Sequence, residues 1–257
     1  MEREIVNVQS NEGIVYICGA GPGDPNLITV RCLDLMSKCD IILYDRLVGN
    51  EIISKIPIGT KKVYVGKSIG SSGLQHHINK IMVEYARQGK RVLRLKGGDP
   101  FIFGRGGEEA EFLHSKNIKF EIIPGISSAL ASPAYAGVPL THRKYSSSVA
   151  ITTGHEDPEK AQERIKWKDL AKTVDTIVIL MGIERLPHIV EQLKNNGLCK
   201  KKGVIVIEAG TTKKQRFVHG KLDNILKKVK KEKIHSPAVI VVGEVTRLCK
   251  KLTWFSQ

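Results

Sequence analysis

The sequence predicts an α/β fold built as two α/β domains with a cofactor cleft between them. Three observations carry that expectation. Short apolar, β-branched runs recur along the chain and, in the first half, alternate with segments of helical periodicity. Several of those runs end in glycine-rich turns. No low-complexity linker or internal repeat separates the halves, so two packed domains are expected, at 1–124 (parallel) and 125–257 (mixed sheet). A chain of 257 residues, 41% of them hydrophobic, is long and apolar enough for both.

"GIVYICG" (13–19) reads as the first buried strand. "NLITVRCLDLMSKC" (26–39) reads as a helix, with Leu27, Val30, Leu33 and Leu35 near one face. "DIILYD" (40–45) and "KKVYVG" (61–66) are the next strands. "LQHHINKIMVEYARQG" (74–89) is a helix with Ile78, Ile81, Met82 and Tyr85 on one face and Gly89 as its stop. "RVLRLKGG" (91–98) is a fourth strand, a helix covers about 105–116, and "FEIIPG" (120–125) is a fifth strand. Strands separated by helices imply parallel βαβ units with both faces covered.

In the second half the strands are "SSSVAITTGH" (146–155), "DTIVILMG" (175–182), "KGVIVIEAG" (202–210), "QRFVHGKL" (215–222) and "SPAVIVVGEV" (236–245). A lysine-rich helix separates the last two, and the others follow one another with little between them, which favours a mixed sheet.

Charge is uneven. The net charge is +15, with 17 Lys/Arg and 14 Asp/Glu in residues 1–124 against 24 and 12 in residues 125–257. Such asymmetry suits an anionic partner, either nucleic acid or a polycarboxylate. The run "LKKVKKEK" (226–233) by itself reads as a solvated helix face. No run of 18 apolar residues exists, so no membrane partner is expected. The polar start, MEREIVNVQSNEG, reads as neither signal nor transit peptide. Five cysteines without a CxxC pair suggest reduced thiols, a cytoplasmic location and no metal.

The glycine turns are "GAGPGDP" (19–25), "GGDP" (97–100) and "EAGT" (208–211). In an open α/β sheet ligands bind beyond the carboxyl ends of strands. The first turn has G-x-G-x-G spacing interrupted by Pro22 and Pro25, so it is not a dinucleotide fingerprint, and no P-loop is present. A nicotinamide-dependent oxidoreductase is therefore disfavoured. Glycine is unfavourable where its freedom is unused, so each turn is either a flexible connection or backbone that a ligand approaches closely. Polar singletons stand at other strand ends: Asp45 and Arg46, Lys67, and His155. Each alone is as readily a cap or a solvated loop residue.

Taken together, "VYICGAGPGDPNLIT", "ILYDRLV", "VGK", "RLKGGDPFIFGRGGEE", "IIPGISSA", "GVPLTHR", "TTGH", "MG", "AGT…KQRFVHG" and "WFS" resemble, in order and over residues 13 to 256, the uroporphyrinogen-III C-methyltransferases of the tetrapyrrole methylase family. The resemblance implies S-adenosylmethionine as cofactor, leaving as S-adenosylhomocysteine. It implies a site lined by Pro22, Gly97, Gly98, Asp99, Ile102, Ser127, Ser128, Met181 and Gly210. It also implies Asp45 as proton acceptor and Lys67 as proton donor. The reaction implied is methylation of uroporphyrinogen III at C2 and C7 to precorrin-2, by a homodimer. The substrate carries eight carboxylates, so Arg46, Arg105 and Arg143, each near a strand-end loop, are candidate anchors.

The chain departs from the family pattern at Ser127-Ser128, where Thr-Ala is usual, and at His76-His77, where acids are usual. The loop from Ser68 to Leu74 is a residue short. No room is left for the fused dehydrogenase–ferrochelatase module that some relatives carry, so NAD chemistry is not expected. A later corrin methylase, a ribosomal RNA methylase of the same fold and a basic nucleic-acid-binding protein are the competing readings. Aromatic content of only 5% offers no stacking platform for the nucleic-acid readings.

Overall fold

The computed structural model describes residues 13–66, 71–155 and 165–255. The chain divides into two compact units, residues 1–21 with 25–126 and residues 22–24 with 127–257. Lys67, and the segment 68–70 of the short loop, lie outside the described residues.

The first unit runs β1 (Ile14–Gly19), α1 (Val30–Lys38), β2 (Ile41–Tyr44), α2 (Asn50–Ile53), β3 (Lys61–Tyr64), α3 (Ser71–Arg87), β4 (Arg91–Lys96), α4 (Gly106–Ser115) and β5 (Lys119–Ile123). Its five strands are parallel, in the order β3-β2-β4-β1-β5. The chain moves outward from β1 to β2 and β3, then returns to β4 and passes on to β5. Parallel crossovers are right-handed, so the two directions of travel place their helices on opposite faces. Accordingly α1 and α2 bury Cys32, Leu35, Met36 and Ile52 against one face. Helices α3 and α4 bury Ile78, Met82, Val83, Ala86 and Leu113 against the other. The direction reverses between β1 and β4, and the carboxyl ends of strands at such a reversal form a natural ligand crevice.

Helix α1 corrects the expected face. It begins only at Val30, because Thr29 caps it by accepting the Cys32 N–H at 3.2 Å. Its buried stripe is therefore Cys32, Leu35 and Met36, while Val30 is 86% exposed. In α3 the core positions are Ile78, Met82, Val83 and Ala86, with Ile81 and Tyr85 half-buried beside them. Gly89 follows with φ +75°, the left-handed stop expected of it.

The second unit runs α5 (Ser128–Tyr135), β6 (Val149–Thr153), α6 (Trp167–Thr173), β7 (Thr176–Leu180), α7 (Leu186–Asn195), β8 (Gly203–Glu208), β9 (Arg216–Lys221), α8 (Ile225–Lys231), β10 (Ala238–Val242) and α9 (Cys249–Leu252). The sheet order is β6-β7-β10-β8-β9, with β6 parallel to β7 and the remaining pairs antiparallel. The sheet is mixed, as expected, but its strands are less crowded in sequence than expected. Helix α7 lies between β7 and β8 and buries Leu186, Ile189, Val190 and Leu193, the i, i+3, i+4, i+7 spacing of an amphipathic helix. Alternation along the central strand β10 sends Ile240 and Val242 to one core and Val239 and Val241 to the other. Among the described residues no helix is long and apolar enough to cross a membrane.

Candidate active site

In the first unit the ends of β1, β4 and β5 are fused by backbone. Gly98 has φ +70°; its N–H donates to the Gly21 carbonyl at 2.7 Å and its carbonyl accepts the Gly21 N–H at 3.2 Å. A Cβ on Gly19 would sit 2.5 Å from the Gly98 carbonyl oxygen, and one on Gly125 would overlap the same atom. The Asp99 carboxylate ties the loop down, accepting the Phe101 N–H at 2.8 Å on Oδ1 and the Gly125 N–H at 3.0 Å on Oδ2. A Cβ on Gly97 would meet the Leu47 Cβ at 2.6 Å. The open question about the glycine turn thus has a structural answer: these glycines let three strand ends close on one another. The groups of Gly98 and Asp99 named here are spent inside the loop. What the loop turns outward is Phe101, Ile102 and Phe103, and Leu47, which lies against Gly97, is exposed as well.

Asp45 stands at the carboxyl end of β2. Its Oδ1 accepts the Leu47 N–H at 3.0 Å, and its Oδ2 lies 3.5 Å from Arg94 Nη2. The side chain keeps 24% of its surface exposed. Arg46 beside it is exposed. Arg105, at φ +60°, precedes α4 and pairs with Glu108 at 2.6 Å.

Beneath Asp45 lies a group of charges that the sequence reading missed. Strand alternation puts Arg94 and Lys96 on the face of Val92, towards α3 and α4. There Glu109 of α4, with no exposed surface, receives Arg94 Nε at 3.1 Å, Lys96 Nζ at 2.9 Å and Gln75 Nε2 at 3.1 Å, all on Oε1. Its Oε2 is buried without a hydrogen-bond partner. Burial pushes the Glu109 carboxyl up, but Arg94 and Lys96 outweigh that and hold it below its ordinary value. Burial and the adjacent Arg94 push the Lys96 ammonium down. The signal in the sequence is two cations spaced by two in an otherwise apolar strand.

The second unit collects the remaining candidates on its own strand ends. Pro22 is half-buried. After it, the Asp24 N–H donates to Thr211 Oγ1 at 3.2 Å, and Asp24 Oδ2 accepts the Tyr135 hydroxyl at 2.8 Å. Burial and that bond push the Tyr135 hydroxyl up to about 12. Ser127 caps α5, its Oγ accepting the Ala129 N–H at 3.2 Å, and Ser128 follows half-buried. Met181, after β7, is half exposed at φ +54°. A Cβ on Gly210 would overlap Ser132 of α5, so this glycine too serves close packing. Ala209 and Thr211 on either side have φ of +47° and +67°. Strained non-glycine backbone concentrates at functional sites, and five such residues (Phe103, Arg105, Met181, Ala209 and Thr211) occupy the loops after β4, β7 and β8. Arg143 is exposed between α5 and β6, and His155 closes a local turn with Thr153 Oγ1. His76 and His77 are exposed on α3.

The family model of the tetrapyrrole (corrin/porphyrin) methylases matches residues 14–226. A protein of Methanosarcina barkeri named S-adenosyl-L-methionine-dependent uroporphyrinogen III methyltransferase is 47% identical, covering 94% of this chain and 95% of that one. A siroheme synthase of Pseudomonas paraeruginosa is 46% identical over 95% of this chain, and the chain spans about half (52%) of its length. A crystal structure of a uroporphyrin-III C-methyl transferase from Thermus thermophilus, complexed with S-adenyl homocysteine, aligns with a TM-score of 0.79 at 37% identity, covering 92% of this chain and all of that one.

Proposed function

The chain belongs to the tetrapyrrole (corrin/porphyrin) methylases, and from that premise we propose that it methylates uroporphyrinogen III at C2 and C7, giving precorrin-2. The observation that carries the reading is the near full-length correspondence, at 47% identity, with the Methanosarcina methyltransferase. S-adenosylmethionine supplies, when bound, a methyl group already activated on a sulfonium.

The residues present fit such a cofactor. Leu47, Phe101, Ile102 and Phe103 of the first unit offer apolar surface at strand ends, suited to an adenine or a thioether. Pro22, Gly97, Gly98, Asp99, Ile102, Ser127, Ser128, Met181 and Gly210 hold it in this reading. Gly97, Gly98, Asp99 and Gly210 act by fixing the shape of the loops, and Ile102 and Met181 act by contact. Arg46, Arg105 and Arg143, all exposed, pair with substrate carboxylates; Arg105 exchanges Glu108 for one of them. Each methyl transfer places positive charge on the ring and releases one proton, which Asp45 accepts; Lys67 returns a proton where the macrocycle needs one. Positioning supplies much of the rate in a two-substrate transfer of this kind. All five cysteines are free thiols, which suits the reducing cytoplasm, and a homodimer is the assembly we infer from the family.

The test is incubation with uroporphyrinogen III and methyl-labelled S-adenosylmethionine, with a mass spectrum of the product. Two labelled methyl groups per macrocycle are expected. No methylation of uroporphyrinogen III, with methylation of a later corrinoid instead, overturns the reading.

A further inference from the structure

We propose that Glu109 is a positioning residue of the methyl-transfer reaction, acting through Arg94 to fix the Asp45 carboxylate at the end of β2. The inference rests on Asp45 accepting the ring proton, as read above.

The geometry is a chain of four charges. Asp45 Oδ2 faces Arg94 Nη2 at 3.5 Å, Arg94 Nε meets Glu109 Oε1 at 3.1 Å, and Lys96 Nζ meets the same oxygen at 2.9 Å. Arg94 also donates Nη1 to the Leu95 carbonyl at 3.2 Å. A guanidinium is planar, so two fixed donors on its fork determine where the third points. Here the third points at Asp45. Glu109 is fully buried and Arg94 and Lys96 nearly so, while Asp45 retains access to solvent. The network therefore has one working end, and it lies beside the topological reversal of the sheet.

A purely stabilising role explains this arrangement poorly. Buried ion pairs are weak stabilisers, because desolvation cancels most of their attraction. Placing three donors on one carboxylate oxygen while the other is left bare is a poor way to satisfy a charge. It is, however, a direct way to hold one guanidinium in one orientation. The two cations keep Glu109 ionised at neutral pH, so it serves as a fixed anion and not as a proton carrier.

The experiment is a double-variant cycle on the full chain. Glu109→Gln keeps the shape and removes the charge. Steady-state kcat, the KM for uroporphyrinogen III and the calorimetric Kd for S-adenosylmethionine are read in Glu109→Gln, Asp45→Asn and the pair. Glu109→Gln is expected to lower kcat by about 10- to 100-fold, at or below the lower end of the about 10²–10⁴-fold typical of losing a general base itself. KM and Kd are expected to stay within about two-fold, and the pair to be no slower than Asp45→Asn alone. If the two losses multiply in full, Glu109 does not act through Asp45 and the proposal is overturned. If Asp45→Asn loses much activity while Glu109→Gln loses none, the proposal fails and the Asp45 reading stands. If Asp45→Asn is itself near wild type, both fall. Should Glu109→Gln not fold, Arg94→Lys carries the same cycle, since it keeps a cation for Glu109 but lacks the fork that reaches Asp45. If neither variant folds, the network serves folding and the proposal is overturned.

Discussion

The two central strands of the molecule are built on opposite chemistries. β10 in the second unit reads AVIVV, and its residues 239–242 are buried hydrocarbon divided between two cores. β4 in the first unit reads RVLRLK and, equally covered, places Arg94 and Lys96 inside, at 3% and 4% exposure. Both strands are the middle member of a five-stranded sheet with helices on its faces. The second unit shows that such a sheet needs no buried charge. The charges of β4 sit directly under Asp45, and on the proposal above they serve its orientation.

The largest effect that could break this contrast is on stability. Glu109→Leu strands two buried cations, and the loss of one member of a buried ion group costs about 3–5 kcal/mol. Replacing the group together (Arg94→Met, Lys96→Met, Glu109→Leu) is expected to recover most of that in denaturant unfolding while turnover stays low. The counterpart in β10, Ile240→Val, is expected to cost about 0.5–1.5 kcal/mol and leave turnover unchanged. A triple variant that regained turnover with stability would make the charges structural after all.

A smaller effect separates a glycine packed against backbone from one with open space around it. Gly125→Ala forces a Cβ into the Gly98 carbonyl, and overpacking of this kind costs about 1–3 kcal/mol. Gly107, in the first turn of α4, has nothing within 4 Å of the place a Cβ would occupy, so Gly107→Ala is expected to stabilise by up to about 1 kcal/mol. Thermal unfolding of the pair checks this; equal shifts would mean that the β1, β4 and β5 ends are not locked by backbone contact.

These contrasts also mark what is legible in the sequence. The ten strands of the described residues are readable because apolar β-branched runs are a local signal, and α3 because its stripe is long. The face of helix α1 is misread because Thr29 as its cap sets the phase, and Leu27 lies before it. Helix α7 carries a full amphipathic spacing that is easily passed over between two strong strands. The strand-end location of Asp45, Gly97, Gly98 and Gly210 follows from their position after apolar runs. Their tasks do not: that Gly98 pairs with Gly21, or that Gly210 faces Ser132, depends on residues 77 and 78 positions distant in sequence. The Glu109 network is illegible for the same reason, since it needs the pleat of β4, the pitch of α4 and Gln75 of α3 together.

The smallest effect sharpens the comparison through pH. Among the described residues a carboxyl is depressed by its surroundings in each unit, but by different means. In the first it is Glu109, buried against cations. In the second it is Asp175, half-buried at the surface, whose Oδ2 accepts the Ser147 N–H at 2.8 Å, the Ser147 hydroxyl at 2.9 Å and the Ser148 hydroxyl at 3.1 Å. The Ser147 N–H is the leading cause of its depression below the ordinary 3.8, and the two hydroxyls follow. A carboxyl depressed in the folded state contributes stability that is present above its unfolded value and is lost as pH falls through its folded value. Asp175→Asn should therefore lower the denaturant midpoint slightly at neutral pH, and the difference from wild type should shrink well below pH 3.8. A difference that stays constant across that range would show that Asp175 acts by shape, as a turn residue, and that the second unit keeps no charge-dependent stability of this kind. Glu109→Gln, measured in parallel, should show the same sign with a larger neutral-pH loss, because its partners are buried and cannot be resolvated.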